Sequence, residues 1–571
     1  MVRLNQNRSK LLLGCGSAAL AMGLAAAPQA ASAQAIQATE NVSSGVAFRN
    51  FTGTGTETIS VATPVAVIDW TPDEDGGGNA LDFLPNGNTV TFQNDPSNPD
   101  FAVLNRILPA TNGNITVIDG QVISQIVDGN GLPLGPGGTI AFYSPTGLLI
   151  GPGAVFDVGN LILTTLDPDQ ASFADFATNG GQLQMVGNTG TTASIVISPG
   201  AQIFATAENS YFAVTAAEIQ MFGLSDINGS TAFVAGEQVN LTVSNGLFDI
   251  QIPVGTSVTT PIIVDGFVGG PSSNGVGDNH LIYAVAAAQV DPISMIFRGN
   301  LGFQPAATAG IVNGEIILSA NYEVSGRFVD GGTVDGGIGQ TFGDRSELTN
   351  VSGSIFVEDI FSSSSILAIA NDQVQISALN TPSLIDGNLL AIGRGSAGLS
   401  AINGQSFDIT GDVLVSADNY GVIGSDLNPD EFDIFGGQAF IDASNGGVMN
   451  IAGDVFVSAR AFAGVDTFGP SSGSATGGSA SIAANAGSVT IGGNVDVASN
   501  AAPAEDIFDF GFGNIFTAGI SQINATQGGS ILITGDANVA ADAEGTIGSV
   551  QINSTPSSAV GGQAFVQAID S

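Results

Sequence analysis

The sequence predicts an all-β chain wound into stacked turns, a parallel β-helix. Three observations carry this. Residues 101–167 alternate short apolar pairs with Gly, Asn, Pro and Asp throughout, and nothing in the run is long or periodic enough for a helix. Of the 571 residues 79 are Gly, while apolar residues make up 43% and charged ones only 11%. Gly and Asn accept the positive φ that tight turns require, and so high an apolar fraction separates the chain from disordered ones. The third observation is a repeat in the C-terminal half, taken in its place below.

The N-terminus reads as a secretory signal over 1–33. Arg3, Arg8 and Lys10 precede the apolar stretch LLLGCGSAALAMGLAAA, and Ala31-Ser32-Ala33 offers the small residues of a leader-peptidase site before Gln34. Leu12-Leu13-Gly14-Cys15 resembles a lipoprotein box, but only Leu11 to Gly14 separate Cys15 from Lys10, too few for an apolar leader core. With the leader removed the chain is expected to hold no Cys, and so no disulfide, thiol nucleophile or thiolate ligand. No later segment reads as a membrane helix, and the tail lacks the aromatic-flanked strands of a membrane barrel. An exported chain with no membrane span of its own is expected.

Charge narrows the partners. The formal net charge is −41, from ten bases against 51 acids. Without the leader no Lys remains, and seven Arg face those 51 acids. This balance argues strongly against nucleic acid or anionic lipid as a direct partner, because both need Lys and Arg to displace counterions. The acids read as solvated turn residues; the Gly-Gly-x-Gly-x-Asp arrays of calcium-bound coils are absent.

The repeat is the segment set FDITGDVLVSA (407–417), MNIAGDVFVSA (449–459), VTIGGNVDVAS (489–499) and ILITGDANVAA (531–541). Its shared glycines are Gly411, Gly453, Gly493 and Gly535, 42, 40 and 42 residues apart. A second element, Gly-Gly-x-Ala-x-Ile/Val, begins at Gly436, Gly477 and Gly561. A fixed period of this size marks stacked repeats. Within a unit, Phe407, Ile409, Val413 and Val415 face one way if Gly411-Asp412 kinks the run. A period near 42 predicts two coils of roughly 20 residues each. Residues 422–435 and 464–476 are expected to protrude as loops, and a domain boundary is placed near 330. The chain stops just after a fresh Gly561-Gly562-Gln563 start, which reads as a piece of a longer product or an end covered by a partner.

Upstream, a succession of motifs carries a family resemblance: VAVIDW (65–70), LDFLPNGNTVTF (81–92), AVLNRI (102–107), IDGQV (118–122), GGTIAFYSPTGLLIGPGAVFDVGNLILTTLD (137–167) and SIVISPGAQIFATAENSYFAVTA (194–216). In this order, behind a signal peptide, it resembles the N-terminal secretion domain of two-partner-secreted exoproteins, the filamentous haemagglutinin and high-molecular-weight adhesin family. The likeness covers about 36–250 and implies a right-handed parallel β-helix; with the boundary near 330 this gives a secretion domain over 34–330, followed by the repeat stalk over 331–571. It implies a partner, an outer-membrane transporter with periplasmic recognition domains, which exports the chain unfolded through periplasm and outer membrane to the medium or the cell surface. By the same resemblance the family's Asn-Pro-Asn-Gly motif falls on Ser144-Pro145-Thr146-Gly147, with Ser and Thr in place of both Asn, and its Asn-Arg pair falls on Asn105-Arg106. These six residues are the candidate partner-recognition set.

No catalytic, cofactor or metal residues are assigned. His280, the single His, cannot build a metal cluster alone, and no Ser sits in nucleophile-elbow text. A polysaccharide lyase needs cationic groups to stabilise a carbanion, which this chain hardly has. The leading expectation is a non-enzymatic adhesin-like exoprotein with an unknown surface receptor, glycan or protein. The alternatives are a secreted carbohydrate-active enzyme on the same helix, whose paired carboxylates no spacing singles out, and capture of a haem-carrying host protein.

Overall fold

A computed structural model describes residues 34–73, 81–109, 114–272, 279–304, 314–329, 332–333, 348–423, 433–465, 474–503, 515–543 and 558–569. The signal segment 1–33 lies outside the described residues. The chain is a right-handed parallel β-helix with three faces. The first face stacks Val65–Pro72, Ala102–Ile107, Thr139–Tyr143 and Asn160–Thr164, and continues to Ala537–Ala540. The second runs from Leu81–Leu84 and Thr116–Ile118 to Gln563–Ile569. The third runs from Thr56–Val61 and Thr89–Asn94 to Ser530–Ile533. The stacking passes over position 330 without a break in the ladder, since Glu315–Ala320 pairs in parallel with Ser365–Ala370.

Alternation explains the faces. Along Ser406–Ile409 and Val413–Ser416, Phe407, Ile409, Val413 and Val415 all point into the common core. Between the two strands, Thr410, Gly411 and Asp412 turn the corner, so the kink restores the inward phase. Each such apolar residue contributes about 1.5–3 kcal/mol by leaving water.

The period of 42 is one coil, not two. Val413 lies beside Val455, Val455 beside Val495 and Val495 beside Ala537, each one full repeat on. Just upstream the coils are shorter: Ile366 lies beside Leu389 and Leu389 beside Val413. The extra residues of each long repeat leave at one corner, between the first and second faces. The expected loops there are partly strand. Asn419–Ile423, Ala461–Val465 and Ala501–Pro503 stack in parallel, as do Asp433–Phe435, Ser474–Thr476, Ile515–Thr517 and Ser558–Val560. The tips 424–432 and 466–473 lie outside the described residues.

In the N-terminal half, excursions from that same corner fold back instead. They form a seven-stranded antiparallel sheet, from Asp167–Pro168 and Leu183–Val186 through Gln238–Ser244 and Leu247–Val254 to Gly332–Thr333, with the helix Gln170–Asn179 beside it. The sequence reading passed over this helix. Its signals are Asp169, whose carboxylate accepts the N–H of Ser172 at 2.7 Å, and Gly180 at φ 68° closing the last turn. The layer covers the outside of the first face, where Leu104, Ala141, Ile162 and Tyr283 meet Phe173, Phe176, Met185 and Phe248 in a second core. That is why first-face strands read as continuous apolar runs: both of their sides are buried.

Two reversed strands close the N-terminal end. Ala38–Ser44 pairs antiparallel with Val65–Pro72, and Ala47–Gly53 with Thr56–Val61. They cover the first coil's open edge, which would otherwise template unwanted pairing.

Candidate functional site

The two motifs singled out by resemblance meet on adjacent coils. Ala102–Ile107 pairs with Thr139–Tyr143 so that Asn105 lies beside Phe142 and Arg106 beside Tyr143. The turn Ser144–Gly147 therefore leaves the first face directly next to Arg106. Strand alternation sends the members of the Asn-Arg pair to opposite sides.

Asn105 points inward and is fully buried. Its Oδ1 accepts the indole N–H of Trp70 at 3.0 Å, and its amide donates to the Ala141 carbonyl at 3.2 Å. Trp70 packs edge-on against Phe83, with ring centroids 5.8 Å apart. The single Trp is thus a core residue of the first coils, and Asn105 satisfies its only polar atom.

Arg106 points outward. Its guanidinium donates to Asp69 at 3.2 Å and to both oxygens of Asp167 at 3.0 and 3.2 Å, and it lies 5.9 Å from the Tyr143 ring centroid. Burial, reinforced by the Asp167 charge, pushes the Tyr143 hydroxyl up to about 12 against the pull of Arg106, so it stays protonated at physiological pH.

In the turn, the Gly147 N–H donates to the Ser144 carbonyl at 3.3 Å. Pro145 occupies the second position, where its fixed φ suits a β-turn. Gly147 takes φ 109°, and a Cβ there would meet the Ser194 carbonyl oxygen. Ser144 is fully buried, its hydroxyl 2.9 Å from Thr116 Oγ1 and 3.3 Å from Thr146 Oγ1. The Ser144 hydroxyl thus ties the turn to Thr116 on the preceding coil and to Thr146 within it.

Arg106, Tyr143 and Pro145 form one wall of a cleft of about 510 Å³. The covering layer supplies the other wall through Asp167, Gln170, Asn188 and Thr191. These four, and Asp69, were not named from sequence; the Asp169-to-Ser172 cap signature was the one local sign that a covering element begins here. Of the six candidates, Arg106 and Pro145 line the cleft, while Asn105 and Ser144 are buried beneath it. His280 is buried, its Nδ1 2.7 Å from the Pro271 carbonyl. Among the described residues no three metal-ligating side chains gather, and no helix is long and apolar enough to cross a membrane.

No family model matches the chain, and no curated protein matches it. Two solved structures similar to it are secretion domains. The HMW1 secretion domain from Haemophilus influenzae has 14% identity and a TM-score of 0.36, with 88% of this chain and 99% of that one covered. The filamentous hemagglutinin secretion domain has 13% identity and a TM-score of 0.27, with 74% of this chain and 95% of that one covered.

Proposed function

We propose that this chain is a non-enzymatic exoprotein with adhesin-like function, delivered to the medium or the cell surface by an outer-membrane partner transporter whose periplasmic domains read its N-terminal coils. The observation that carries this is the unbroken parallel ladder. Every coil is the template for the next, so a chain emerging N-terminus first finds a paired edge waiting, and burial of each new coil's apolar residues draws it outward. The capped N-terminal end supports the same reading, because folding has a defined start. Asn105 and Ser144 are open to a partner only while the chain is extended, whereas Arg106 and Pro145 stay at the surface after folding. The stacked excursions of the C-terminal half are the surface offered to a receptor, a glycan or a protein.

Export is tested in a bacterium that carries or lacks a two-partner transporter, with the chain expressed behind its own leader. Transporter-dependent appearance in the medium, lost when residues 34–216 are deleted, supports the reading. Equal release with and without a transporter overturns it.

A further inference from the structure

The C-terminal coils are nearly interchangeable, which raises a register problem. Their first-face strands place Val413, Val455, Val495 and Ala537 in one inner column and Val415, Val457, Val497 and Val539 in the next. Strand alternation penalises a slip by one residue, which turns every side chain to the wrong face, but it tolerates a slip by two. Something other than the apolar pattern must select one pairing.

We infer that a column of side-chain acceptors at the corner before the first face is that register device. Ser365 Oγ accepts the N–H of Asn388 at 3.0 Å, and Asn388 Oδ1 accepts the N–H of Asp412 at 2.9 Å. Asp412 Oδ1 accepts from Asp454 at 2.8 Å, Asp454 Oδ1 from Asn494 at 2.6 Å, and Asn494 Oδ1 from Asp536 at 3.0 Å. Five successive links have one polarity: the earlier coil holds out the oxygen and the later coil brings the N–H.

The preceding glycine is the second half of the key. A Cβ on Gly411, Gly453, Gly493 or Gly535 would collide with the oxygen of the coil below. Each of these glycines also donates its own N–H to the glycine carbonyl one coil earlier, at 3.0 to 3.2 Å. The Gly-Asp/Asn step of the repeat is therefore a lock in which the glycine admits the acceptor and the next N–H engages it. A two-residue slip places a residue with a side chain against the acceptor and leaves the oxygen without its donor. Where the acceptor is a carboxylate the bond is charge-assisted, and so stronger than a neutral one. Because the acceptor belongs to the earlier coil, the device works in the N-to-C direction, whatever route the chain takes to the cell exterior.

The test refolds the full chain without its leader from urea and reads register by cysteine cross-linking. Asn450 and Thr490 are opposed in the native pairing, so N450C with T490C reports the native register and N450C with S488C the slipped one. In these backgrounds D454N, which keeps an acceptor, is expected to give only the native cross-link at the parental refolding rate. D454A is expected to refold about tenfold more slowly and to yield the slipped cross-link. N494A, which removes only the last link, is expected to do the same between Thr490 and Ser530 against Thr490 and Leu532, and reports even if D454A does not fold. Parental rates and solely native cross-links in both alanine variants overturn the inference, as does a D454N variant that slips as D454A does.

Discussion

Arg49 reaches from the reversed N-terminal strands to Glu57, whose side chain is fully buried, and holds it at 2.9 Å. The same guanidinium donates to the carbonyls of Ile36 and Ala38 at 2.7 and 2.8 Å and to Glu40 at 2.6 Å, and lies 5.2 Å from the Trp70 ring centroid. One side chain thus ties the cap strands to the first coil. Burial pushes the Glu57 carboxyl up, against the pull of Arg49. Arg49→Ala leaves that carboxylate buried without its cation and is expected to cost about 3–5 kcal/mol. Arg49→Met with Glu57→Leu is expected to recover much of the loss. Urea unfolding of the two variants beside the wild type checks both expectations.

The Asn-Arg pair separates structure from recognition. Asn105→Ala strands the Trp70 indole N–H inside the helix and is expected to cost about 1–3 kcal/mol, lowering urea midpoint and export together. Arg106→Ala removes partly exposed pairs with Asp69 and Asp167, each worth about 1 kcal/mol or less. Its midpoint is expected to move little, so a large loss of export in Arg106→Ala assigns that residue to the partner. A comparison of midpoint with secreted yield reads both outcomes.

Gly147→Ala places a side chain at φ 109°, against the Ser194 carbonyl. The expected cost is about 1–3 kcal/mol. Gly190, at φ 71° with open space around it, is the control, and Gly190→Ala is expected to cost less. Thermal unfolding of the pair measures the difference.

Acid sensitivity is expected at Asp359. Burial raises its carboxyl, but N–H groups of Asn380, Leu379 and Thr381 and the Asn380 side-chain amide, at 2.7 to 3.2 Å, outweigh that and hold it below the ordinary value. A carboxyl lowered in the folded state stabilises fully above its unfolded pKa, and the contribution disappears as pH falls through the folded one. The stability gap between the wild type and Asp359→Ala is therefore expected to be constant near neutrality and to close below about pH 4. Urea midpoints across that range decide it.

Much of this molecule is legible in its residues. Short apolar runs broken by Gly and Asn can only be strands and corners, and the recurrence of Gly411, Gly453, Gly493 and Gly535 marks like units stacked on one another. The inward set Phe407, Ile409, Val413 and Val415 followed from alternation across a kink. Local pattern alone determined these, because side-chain direction and turn chemistry depend on near neighbours.

Only the tertiary structure decided that one period is a single coil, since the count of residues between like strands does not say whether the excess stacks or wraps. It also decided that excursions from one corner cover the first face early in the chain and stack beside it later. A single outer column records the change: Leu390, Leu414 and Phe456 are buried, and the next positions are Asp496 and Asn538. Likewise Asn105 and Arg106, adjacent in sequence, part to the interior and to the cleft. Which side of a strand is covered depends on packing between residues far apart in the chain, and no local pattern encodes that.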